Sequence, residues 1–279
     1  MLLFDIWKLG KKIGAGSFGE VWEGKDTRDG SIVAVKLEIL EKGNPSQLNI
    51  ERKAYSTMGK NPFVPTIHYF GSVDRYQRAL VMEKLGPSLE QVVKKSGGKL
   101  SETDAAVLGL LGVEALQAVH NCGIVHRDIK PQNICLVQGE TKVKIIDFGL
   151  CKKYLEKDGR THIPVKRGKR LTGTPRYASL RVLAGYEQSR RDDLEGFTLC
   201  LLYFVLGRLP WQGQTAATKS KKHAKIYNIK KNITFSELTA GLRAARQWTQ
   251  LLEYTRNLAF EEEPNYTYYA DILKQIVVS

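Results

Sequence analysis

One stretch, IVHRDIKPQNICLVQGETKVKIIDFGL at residues 124–150, limits what this chain can fold into more than any other. It contains two apolar runs typical of buried strands, and it also carries isolated carboxylates at Asp128 and Asp147. A carboxylate near a core is costly unless it is paired or hydrogen-bonded. The stretch therefore predicts a site where something cationic or reactive binds between the two aspartates.

Length and composition indicate an ordinary globular protein. The chain has 279 residues, with 42% hydrophobic and 26% charged residues, enough for one large or two small domains. Cys122, Cys135, Cys151 and Cys200 have no CxxC spacing, which favours a reduced intracellular compartment over disulfides or zinc. The start, MLLFDIWKLGKK, lacks the pattern of a secretory signal, and FTLCLLYFVLG at 197–207 is too short to span a bilayer. We therefore expect a cytoplasmic protein with a buried helix at 197–207 and no membrane partner.

The chain carries a formal net charge of +14, from 43 basic and 29 acidic residues. Such a charge favours phosphate-bearing or acidic partners, although a merely solvated basic surface is an equal alternative. A nucleic-acid-binding domain would interleave aromatic residues with its charges in a motif. The most basic run, TKSKKHAKIYNIKK at 218–231, contains only Tyr227, so we expect no nucleic-acid partner.

Hydrophobic patterns divide the chain into two parts and predict an α+β fold. The first part has strand-like runs at 13–24, 31–39, 67–73 and 78–83, and one helix that begins at Pro45 or Ser46 and ends at Gly59. Gly and Pro interrupt the pattern in LGPSLE at 85–90, where we place the boundary between a small sheet-rich lobe and a larger helical lobe. The helices predicted in the second lobe lie near 101–121, 192–207, 236–241, 244–256 and 265–276.

The glycine-rich run GAGSFG carries Gly14, Gly16 and Gly19. Glycines let backbone N–H groups approach phosphate oxygens closely. A dinucleotide-binding fingerprint needs a helix straight after its loop, whereas EVWEG and SIVAVKLEI continue here as strand. The sequence favours a glycine-rich hairpin lying over a nucleotide.

The strand VAVK places Ala34 and Lys36 on one face, because residues two apart in a strand share a face. A small residue beside a lysine suits a purine over Ala34 with its phosphates at Lys36. The competing interpretation is a surface lysine on an edge strand.

The helix that follows carries a carboxylate on an apolar stripe, since Leu48, Glu51, Tyr55 and Met58 recur at helical spacing. A carboxylate in such surroundings needs a partner, and Lys36 is the candidate. We predict an ion pair that aims Lys36 at the phosphates. The alternative is that Glu51 lies exposed at the edge of the stripe.

The stretch 124–150 supplies the remaining groups of a phosphoryl-transfer site. This reaction depends mostly on positioning and charge neutralisation: a carboxylate to accept the hydroxyl proton, a cation on the phosphoryl group and oxygen ligands for magnesium. Asp128, Lys130 and Asn133 lie on one predicted loop, and Asp147 follows the strand-like VKII. The pattern HRDxKxxN followed by DFG provides each of these groups in order.

Together these motifs resemble the eukaryotic protein kinase fold from Ile13 to about Ser179. The resemblance narrows to the casein kinase I family and continues through FEEEPNYTYY near the end of the chain. It implies one two-lobed kinase domain, with N-lobe 1–85 and C-lobe 86–279, that uses ATP and Mg²⁺. The runs that carry the narrower resemblance are LGPSLE (85–90), LTGTPRYAS (171–179), EQSRRDDLE (187–195), LPWQG (209–213) and AATK (216–219).

The resemblance also implies roles for single residues. Asp128 would be the catalytic base, Lys130 the cation typical of serine/threonine kinases, and Thr174 a substrate-loop residue hydrogen-bonded near both. Asn133 and Asp147 would hold the metal ions, while Lys36 and Glu51 serve the phosphates. Met82 would be the gatekeeper beside adenine, and the backbone of Glu83 and Leu85 would form the hinge hydrogen bonds. The residues implied around the nucleotide are Ile13, Gly14, Ala15, Gly16, Ser17, Gly19, Val21, Ala34, Lys36, Met82, Glu83, Leu85, Cys135 and Ile146.

Other residues are implied to be structural. By the same resemblance, Arg127 and Asp193 organise the catalytic loop from beneath, and His126 is packed within that loop. The remaining histidines have no evident partners and are expected to be ordinary surface or core residues: His68, His120, His162 and His223.

The resemblance offers an account of the charge, because members of the family favour Ser or Thr downstream of acidic or phosphorylated residues. The implied anion pocket uses Arg176, the backbone of Gly213 and Lys222, and Lys169 and its basic neighbours add to the positive field. A phosphate dianion facing several such donors makes charge-assisted hydrogen bonds. We expect a monomer that acts on acidic or phosphate-primed proteins. The alternatives for TKSKKHAK are a solvated helix end or a nuclear-import signal, which would add a nuclear location.

The sequence departs from the usual kinase pattern in places. No APE follows the substrate loop, where SLRV stands at 179–182, and Thr198 replaces a common glycine. Lys84 lies in the hinge and Cys135 at the adenine floor. None of these departures removes a chemical group that the reaction needs, and no phosphorylation site stands out, so we expect constitutive activity.

Three other classes compete with a protein kinase. A pseudokinase scaffold predicts a lost Lys36, Asp128 or Asp147, and all three are present. A nucleic-acid-binding domain lacks its motif here, as argued above. A kinase of small molecules is disfavoured by GTPRYAS, which in protein kinases receives the peptide.

Overall fold

An antiparallel sheet forms the first lobe in the computed structural model, which describes residues 1–16, 19–40 and 46–279. Its strands are β1 (Leu2–Leu3), β2 (Trp7–Gly16), β3 (Gly19–Asp26), β4 (Ile32–Ile39), β5 (Ile67–Ser72) and β6 (Gln77–Glu83). Their order across the sheet is β1-β2-β3-β4-β6-β5. The run predicted as one strand at 13–24 is divided between β2 and β3, which pair antiparallel with Gly16 opposite Gly19.

The two faces of β4 pack into different surroundings, as its alternating pattern predicts. Val33, Val35 and Leu37 lie in a small core with Trp7 on one face of the sheet. Ala34 belongs to the main core on the other face, and its partner across the sheet is Met82 of β6. The face that carries Ala34 and Lys36 is therefore the one turned toward the rest of the molecule.

Helix α1 (Gln47–Met58) is the only helix of the described residues before Leu89, and its start is well capped. The Ser46 hydroxyl accepts from the Asn49 N–H, and a Glu38 carboxylate oxygen accepts from the Gln47 N–H at 2.6 Å. Carboxylates favour helix starts, where N–H groups lack partners. The helix ends at Gly59 as predicted, while Pro45 lies outside the described residues.

The second lobe is mainly helical. Among its long helices, α3 packs against both α5 and α9. Helix α5 is almost wholly buried, which confirms the buried helix predicted at 197–207. Helices α2, α4 and α6 were not predicted from the sequence. The helices of this lobe are α2 (Leu89–Lys95), α3 (Glu102–His120), α4 (Leu180–Leu183), α5 (Arg190–Leu206), α6 (Lys219–Asn232), α7 (Phe235–Thr239), α8 (Ala245–Asn257) and α9 (Tyr266–Val278).

The lobes meet along a short connection. The sheet ends at Glu83 and α2 begins at Leu89, after an N-terminal capping box formed by Ser88 and Gln91. These ends lie on either side of the boundary placed at residue 85. Within the described ranges, no helix has both the length and the apolarity to cross a bilayer.

Two small antiparallel pairs frame the loop of residues 126–133. Strand β7 (Ile124–Val125) pairs with β10 (Lys152–Lys153), and β8 (Ile134–Leu136) pairs with β9 (Val143–Ile145). The loop leaves β7 and enters β8, and Asp147 follows β9 closely. This topology brings the two aspartates of the opening stretch to one edge of the second lobe, below the sheet.

Candidate active site

Lys36 and Glu51, which are buried, form an ion cluster with the half-buried Asp147. Lys36 Nζ lies 2.7 Å from a Glu51 carboxylate oxygen and 2.8 Å from Asp147 Oδ1. Glu51 is 1% exposed, which confirms the ion pair and excludes an exposed position at the edge of the stripe. The Tyr55 hydroxyl donates to the other Glu51 oxygen at 3.2 Å. The cluster thus joins the sheet, α1 and the second lobe through one ammonium group.

The charges of this cluster are stabilised together. Burial alone would lower the pKa of Lys36, but the adjacent carboxylates of Glu51 and Asp147 raise it above its ordinary value. Burial alone would raise the pKa of Asp147, but Lys36 holds it below the ordinary value. Both groups are therefore ionised at neutral pH, which leaves a fixed cation beside a fixed anion.

Asp147 has an unusual backbone conformation that aims its side chain. Its φ and ψ are 68° and 64°, in the left-handed region that aspartate tolerates better than most residues. His126 Nε2 donates to the carbonyl of Ile146 at 2.9 Å, just before it. Phe148, which follows, is buried edge-on against His126 and Tyr55. The aspartate is thus fixed from both sides.

Asp128 is held at both carboxylate oxygens. Oδ2 lies 2.5 Å from Lys130 Nζ, and Oδ1 accepts from the Thr174 hydroxyl at 2.7 Å. The preceding Gly173 has a φ of 92°, and a Cβ there would lie 2.3 Å from the Arg127 carbonyl. Only glycine lets the substrate loop approach the catalytic loop this closely. The hydrogen bond predicted for Thr174 near Asp128 is present, and Lys130 also pairs with this carboxylate.

Asp193 of α5 supports the loop from beneath. Its Oδ2 accepts from the His126 N–H at 2.6 Å, and its Oδ1 accepts from the Arg127 N–H at 2.8 Å. Arg127 has a φ of 67°, and its Nε donates to the Leu150 carbonyl at 2.6 Å. The pKa of Asp193 is lowered although burial would raise it, because His120 and these donors stabilise the charge. The predicted structural roles of Asp193, Arg127 and His126 agree with this geometry.

His120 does not fit the expectation of a histidine without a partner. It is 1% exposed, its Nε2 lies 3.1 Å from Asp193 Oδ2, and its Nδ1 lies 2.6 Å from the Tyr266 hydroxyl. A proton on Nε2 lets the ring donate to the carboxylate and accept from the tyrosine. The sequence held a signal for its burial: His120 continues the buried face of α3 through Val113 and Leu116 at helical spacing.

The residues predicted around the nucleotide come from elements of both lobes. Ala34 and Met82 are buried partners across the sheet, and Val21 pairs with Lys36. Cys135 on β8 is 6% exposed, and burial raises the pKa of its thiol to about 12, so the pocket floor is uncharged. The other predicted nucleotide residues that the structure describes lie on β2, on β3, in the hinge and after β9, and they are Ile13, Gly14, Ala15, Gly16, Gly19, Glu83, Leu85 and Ile146. Ser17 lies outside the described residues.

The hinge is reinforced by two ion pairs. Both Glu83 oxygens lie within 2.8 Å of Lys144 Nζ, and Lys84 Nζ lies 2.5 Å from a Glu23 oxygen. The Glu83 N–H donates to the Thr66 carbonyl, so of the Glu83 backbone only the carbonyl can serve a nucleotide. The hinge lysine thus turns toward β3 and pairs there.

The groups predicted for the anion pocket come from separate segments of the second lobe. Arg176 is half-buried, with its guanidinium 5.6 Å from the ring centres of both Tyr177 and Tyr203. Lys222 is exposed on α6, and Gly213 precedes that helix. Lys169 instead lies 3.3 Å from Glu187, which also binds Lys152 at 3.0 Å. Its ammonium therefore belongs to a separate cluster with its own carboxylate.

Two anchors of the substrate loop were missed by sequence reasoning. Lys230 is 2% exposed and donates to three backbone carbonyls of residues 175–178. Glu195 of α5 accepts from the Leu180 N–H and lies 2.9 Å from an Arg256 nitrogen. This pair secures the segment where APE is absent. No sequence signal singles out Lys230 among the lysines of TKSKKHAKIYNIKK.

Magnesium fits the oxygen donors at the site. Asn133 donates its Nδ2 to the Asp128 carbonyl at 3.0 Å, which leaves its amide oxygen able to bind a cation. Asp147 keeps its second carboxylate oxygen beyond the one that Lys36 occupies. Carboxylate and amide oxygens match the preference of Mg²⁺, which also binds substrate phosphates and water. In the part of the chain that the structure describes, no group of three or more His, Cys, Asp or Glu forms a complete metal cage.

The sheet-over-helices architecture, the Lys36–Glu51–Asp147 cluster and the supported Asp128 together define a phosphotransferase site. The sequence model of the protein kinase domain matches residues 7–262. The chain therefore belongs to the protein kinase family. Kinases of this family use ATP with a divalent metal.

Proposed function

We propose that the protein is a serine/threonine kinase of the casein kinase I type that phosphorylates acidic or phosphate-primed proteins. The observation that carries this proposal is the Asp128 carboxylate held between Lys130 and Thr174. Because one group comes from the catalytic loop and the other from the substrate loop, a peptide seated on the substrate loop meets a proton acceptor already in place.

The chemistry follows from the fixed charges. A substrate hydroxyl gives its proton to Asp128 as its oxygen bonds to the γ-phosphorus, while the bond to the bridging oxygen breaks and ADP leaves with the electron pair. Lys130 lies where negative charge collects on the travelling group, and Lys36 faces the remaining phosphates. Asn133 and Asp147 would hold magnesium, which neutralises phosphate charge when bound.

Serine/threonine specificity rests on the resemblance together with the position of Lys130. Its ammonium lies at the carboxylate that receives the hydroxyl proton, as serine/threonine kinases are expected to have it. Phosphoamino acid analysis of a labelled mixed substrate tests this point. Phosphotyrosine as the main product would contradict it.

Substrate preference rests on Arg176, Lys222 and the charge of +14. A phosphate three residues before the target hydroxyl would meet Arg176 on the substrate loop, where charge-assisted hydrogen bonds are strong. We expect one peptide to be phosphorylated faster with an upstream phosphoserine than without it. Equal rates would defeat the preference and leave the kinase activity intact.

A pseudokinase scaffold is the second candidate, although Lys36, Asp128 and Asp147 are present and correctly paired. Radiolabelled ATP with a casein-like acidic protein separates the two, with Asp128→Asn as the matched inactive variant. We expect labelling by the parent and a loss of at least about 100-fold in the variant, since the proton acceptor is removed. Absence of labelling by the parent would favour the scaffold.

A further inference from the structure

Lys230 is a buried lysine for which the phosphoryl-transfer chemistry provides no task. It lies on α6 among exposed lysines, yet only 2% of its surface is accessible. Burial lowers its pKa to about 7, and the negative charge of Glu195 acts in the opposite direction. An apolar side chain of similar length would avoid this cost. The contacts of the Lys230 side chain therefore have to account for a lysine at this buried position.

Those contacts converge on one short segment. Lys230 Nζ lies 3.3 Å from the Pro175 carbonyl, 3.0 Å from the Arg176 carbonyl and 2.6 Å from the Ala178 carbonyl. An ammonium group has three N–H donors, and here each has a carbonyl acceptor. Its Nζ also lies 4.7 Å from the ring centre of Trp211, which stabilises the cation.

Trp211 adds a second donor to the same segment. Its indole N–H donates to the Arg176 carbonyl at 2.8 Å, so two donors hold the backbone of this one residue. The Arg176 side chain meanwhile lies over two tyrosine rings. Both the backbone and the guanidinium of Arg176 are thereby given a fixed position.

The segment that Lys230 holds begins directly after Thr174, which binds Asp128. A shift of residues 175–178 would move the peptide-receiving surface relative to the proton acceptor. We propose that Lys230 is a positioning residue for the peptide substrate, acting through the carbonyls of residues 175–178 and through Arg176. The part of this inference that concerns anion recognition by Arg176 rests on the proposed function. The part that concerns the placement of a peptide substrate does not.

The test compares Lys230→Met with Lys231→Met, because the neighbouring Lys231 is exposed and the charge change is the same. We expect Lys230→Met to lower kcat/KM for an acidic peptide about 10- to 100-fold, because three carbonyls lose a charged donor. KM for ATP should stay within about twofold of the parent value, since Lys230 touches no group of the nucleotide site. Lys231→Met should match the parent in both quantities.

A purely structural role predicts something else: ATP and peptide kinetics would decline together with the folded fraction. Thermal unfolding of each variant separates the cases. Unchanged peptide kinetics in folded Lys230→Met would overturn the proposal, and so would a parallel loss of ATP binding.

Trp211→Phe serves as a second variant in case Lys230→Met does not fold. It removes the indole N–H donor to Arg176 and keeps a smaller aromatic ring at this buried position. We expect a rise of about threefold to tenfold in KM for the peptide at constant KM for ATP. A KM for the peptide equal to that of the parent would overturn the proposal without any use of Lys230→Met.

Primed and unprimed peptides keep this inference distinct from the proposed function. If the parent treats both peptides alike, the anion preference fails, while the effect of Lys230→Met on the unprimed peptide still decides the positioning role. If the parent prefers the primed peptide and Lys230→Met does not, Lys230 positions Arg176 as well as the peptide.

Discussion

At the scale of single residues, the two aspartates of the opening stretch lie in different settings. Asp147 lies against the ammonium group of Lys36, whose charge lowers the pKa of this aspartate although burial would raise it. Asp128 binds Lys130 and a neutral hydroxyl, and it lies beside the segment that receives the substrate. One aspartate is therefore suited to binding a metal ion and the other to accepting a proton.

Glu51 illustrates what one residue contributes to this site. We expect Glu51→Gln to lower kcat/KM for ATP about 10- to 100-fold, because Lys36 loses its buried charged partner and keeps only the half-buried Asp147. Steady-state kinetics at varied ATP concentration measures the effect. Tyr55→Phe is the matched control: it removes the neutral donor to Glu51 and keeps the carboxylate, so a loss below about threefold is expected. Equal losses in both variants would show that charge is not the cause.

Residue-level prediction succeeded where a local rule applied. Glu51 was placed by its helical stripe, and Lys36 by the two-residue period of its strand. It failed for His120 and Lys230, since their partners come from segments far away in sequence: Asp193 and Tyr266 for the first, residues 175–178 for the second. Spacing within one element carries no information about such partners.

At the scale of elements, the hairpin of β2 and β3 depends on one glycine more than on the others. Gly19 has a φ of 137°, and a Cβ on it would lie 1.9 Å from the Leu37 carbonyl of β4. We expect Gly19→Ala to lower the free energy of unfolding by about 1–3 kcal/mol, because the backbone must shift. Chemical denaturation measures this change.

Gly16 supplies the control for stability. Its φ is ordinary, and a Cβ on it would meet no atom of the described residues within 4 Å. Gly16→Ala should therefore change the free energy of unfolding by less than about 0.5 kcal/mol. If both substitutions were equally destabilising, the close approach to β4 would not be the cause.

The turn between β3 and β4 provides a test with pH. Asp26 accepts from the backbone N–H and guanidinium of Arg28, which lowers its pKa to about 2. A carboxylate with a depressed pKa stabilises the fold above its ordinary pKa of 3.8, and this contribution is lost as pH falls toward 2. Asp26→Asn should therefore be less stable than the parent at pH 5, and the difference should shrink between pH values of about 4 and 2. A constant difference across this range would contradict the assignment.

Elements were predictable where the sequence carries an apolar pattern or a long apolar run. The strands at 32–39 and 77–83 and the helices α1, α8 and α9 have apolar patterns, and α5 contains a long apolar run. These elements and α3 were found within a few residues of their expected limits. Helix α6 has few apolar residues and is held by buried contacts of Ile226 and Lys230, so its sequence reads as a charged surface run. The short helices α2 and α4 begin at serine caps that only the structure reveals.

At the scale of the whole molecule, the charge of +14 acts over distances longer than any contact. Positive potential around the cleft should speed the encounter with acidic peptides. We expect kcat/KM for an acidic peptide to fall about tenfold as ionic strength rises from about 0.05 to 0.5 M, because screening shortens the reach of the field. A neutral peptide of the same length should change little. If kcat/KM fell equally for both peptides, salt would be acting on the enzyme itself rather than on its electrostatic attraction for the acidic peptide.

The two-lobed organisation was predictable because patterning changes from strand to helix at LGPSLE. The pair of Lys36 with Glu51, which lies within the first lobe, was predictable from the sequence. The contact of Lys36 with Asp147, which joins the two lobes, required knowledge of how β8 and β9 fold back beneath the sheet. Long-range topology, rather than residue chemistry, set the limit of inference from sequence.

The contacts of Tyr266 have a consequence for how far the reaction machinery extends. This residue opens α9, beyond residue 262 where the family match ends, and its hydroxyl reaches His120, which in turn supports Asp193 beneath the catalytic loop. Helix α9 therefore supports the loop that carries the proton acceptor, Asp128. A truncation that removes Tyr266 would therefore be expected to disturb the catalytic loop, although Tyr266 itself lies outside the active site.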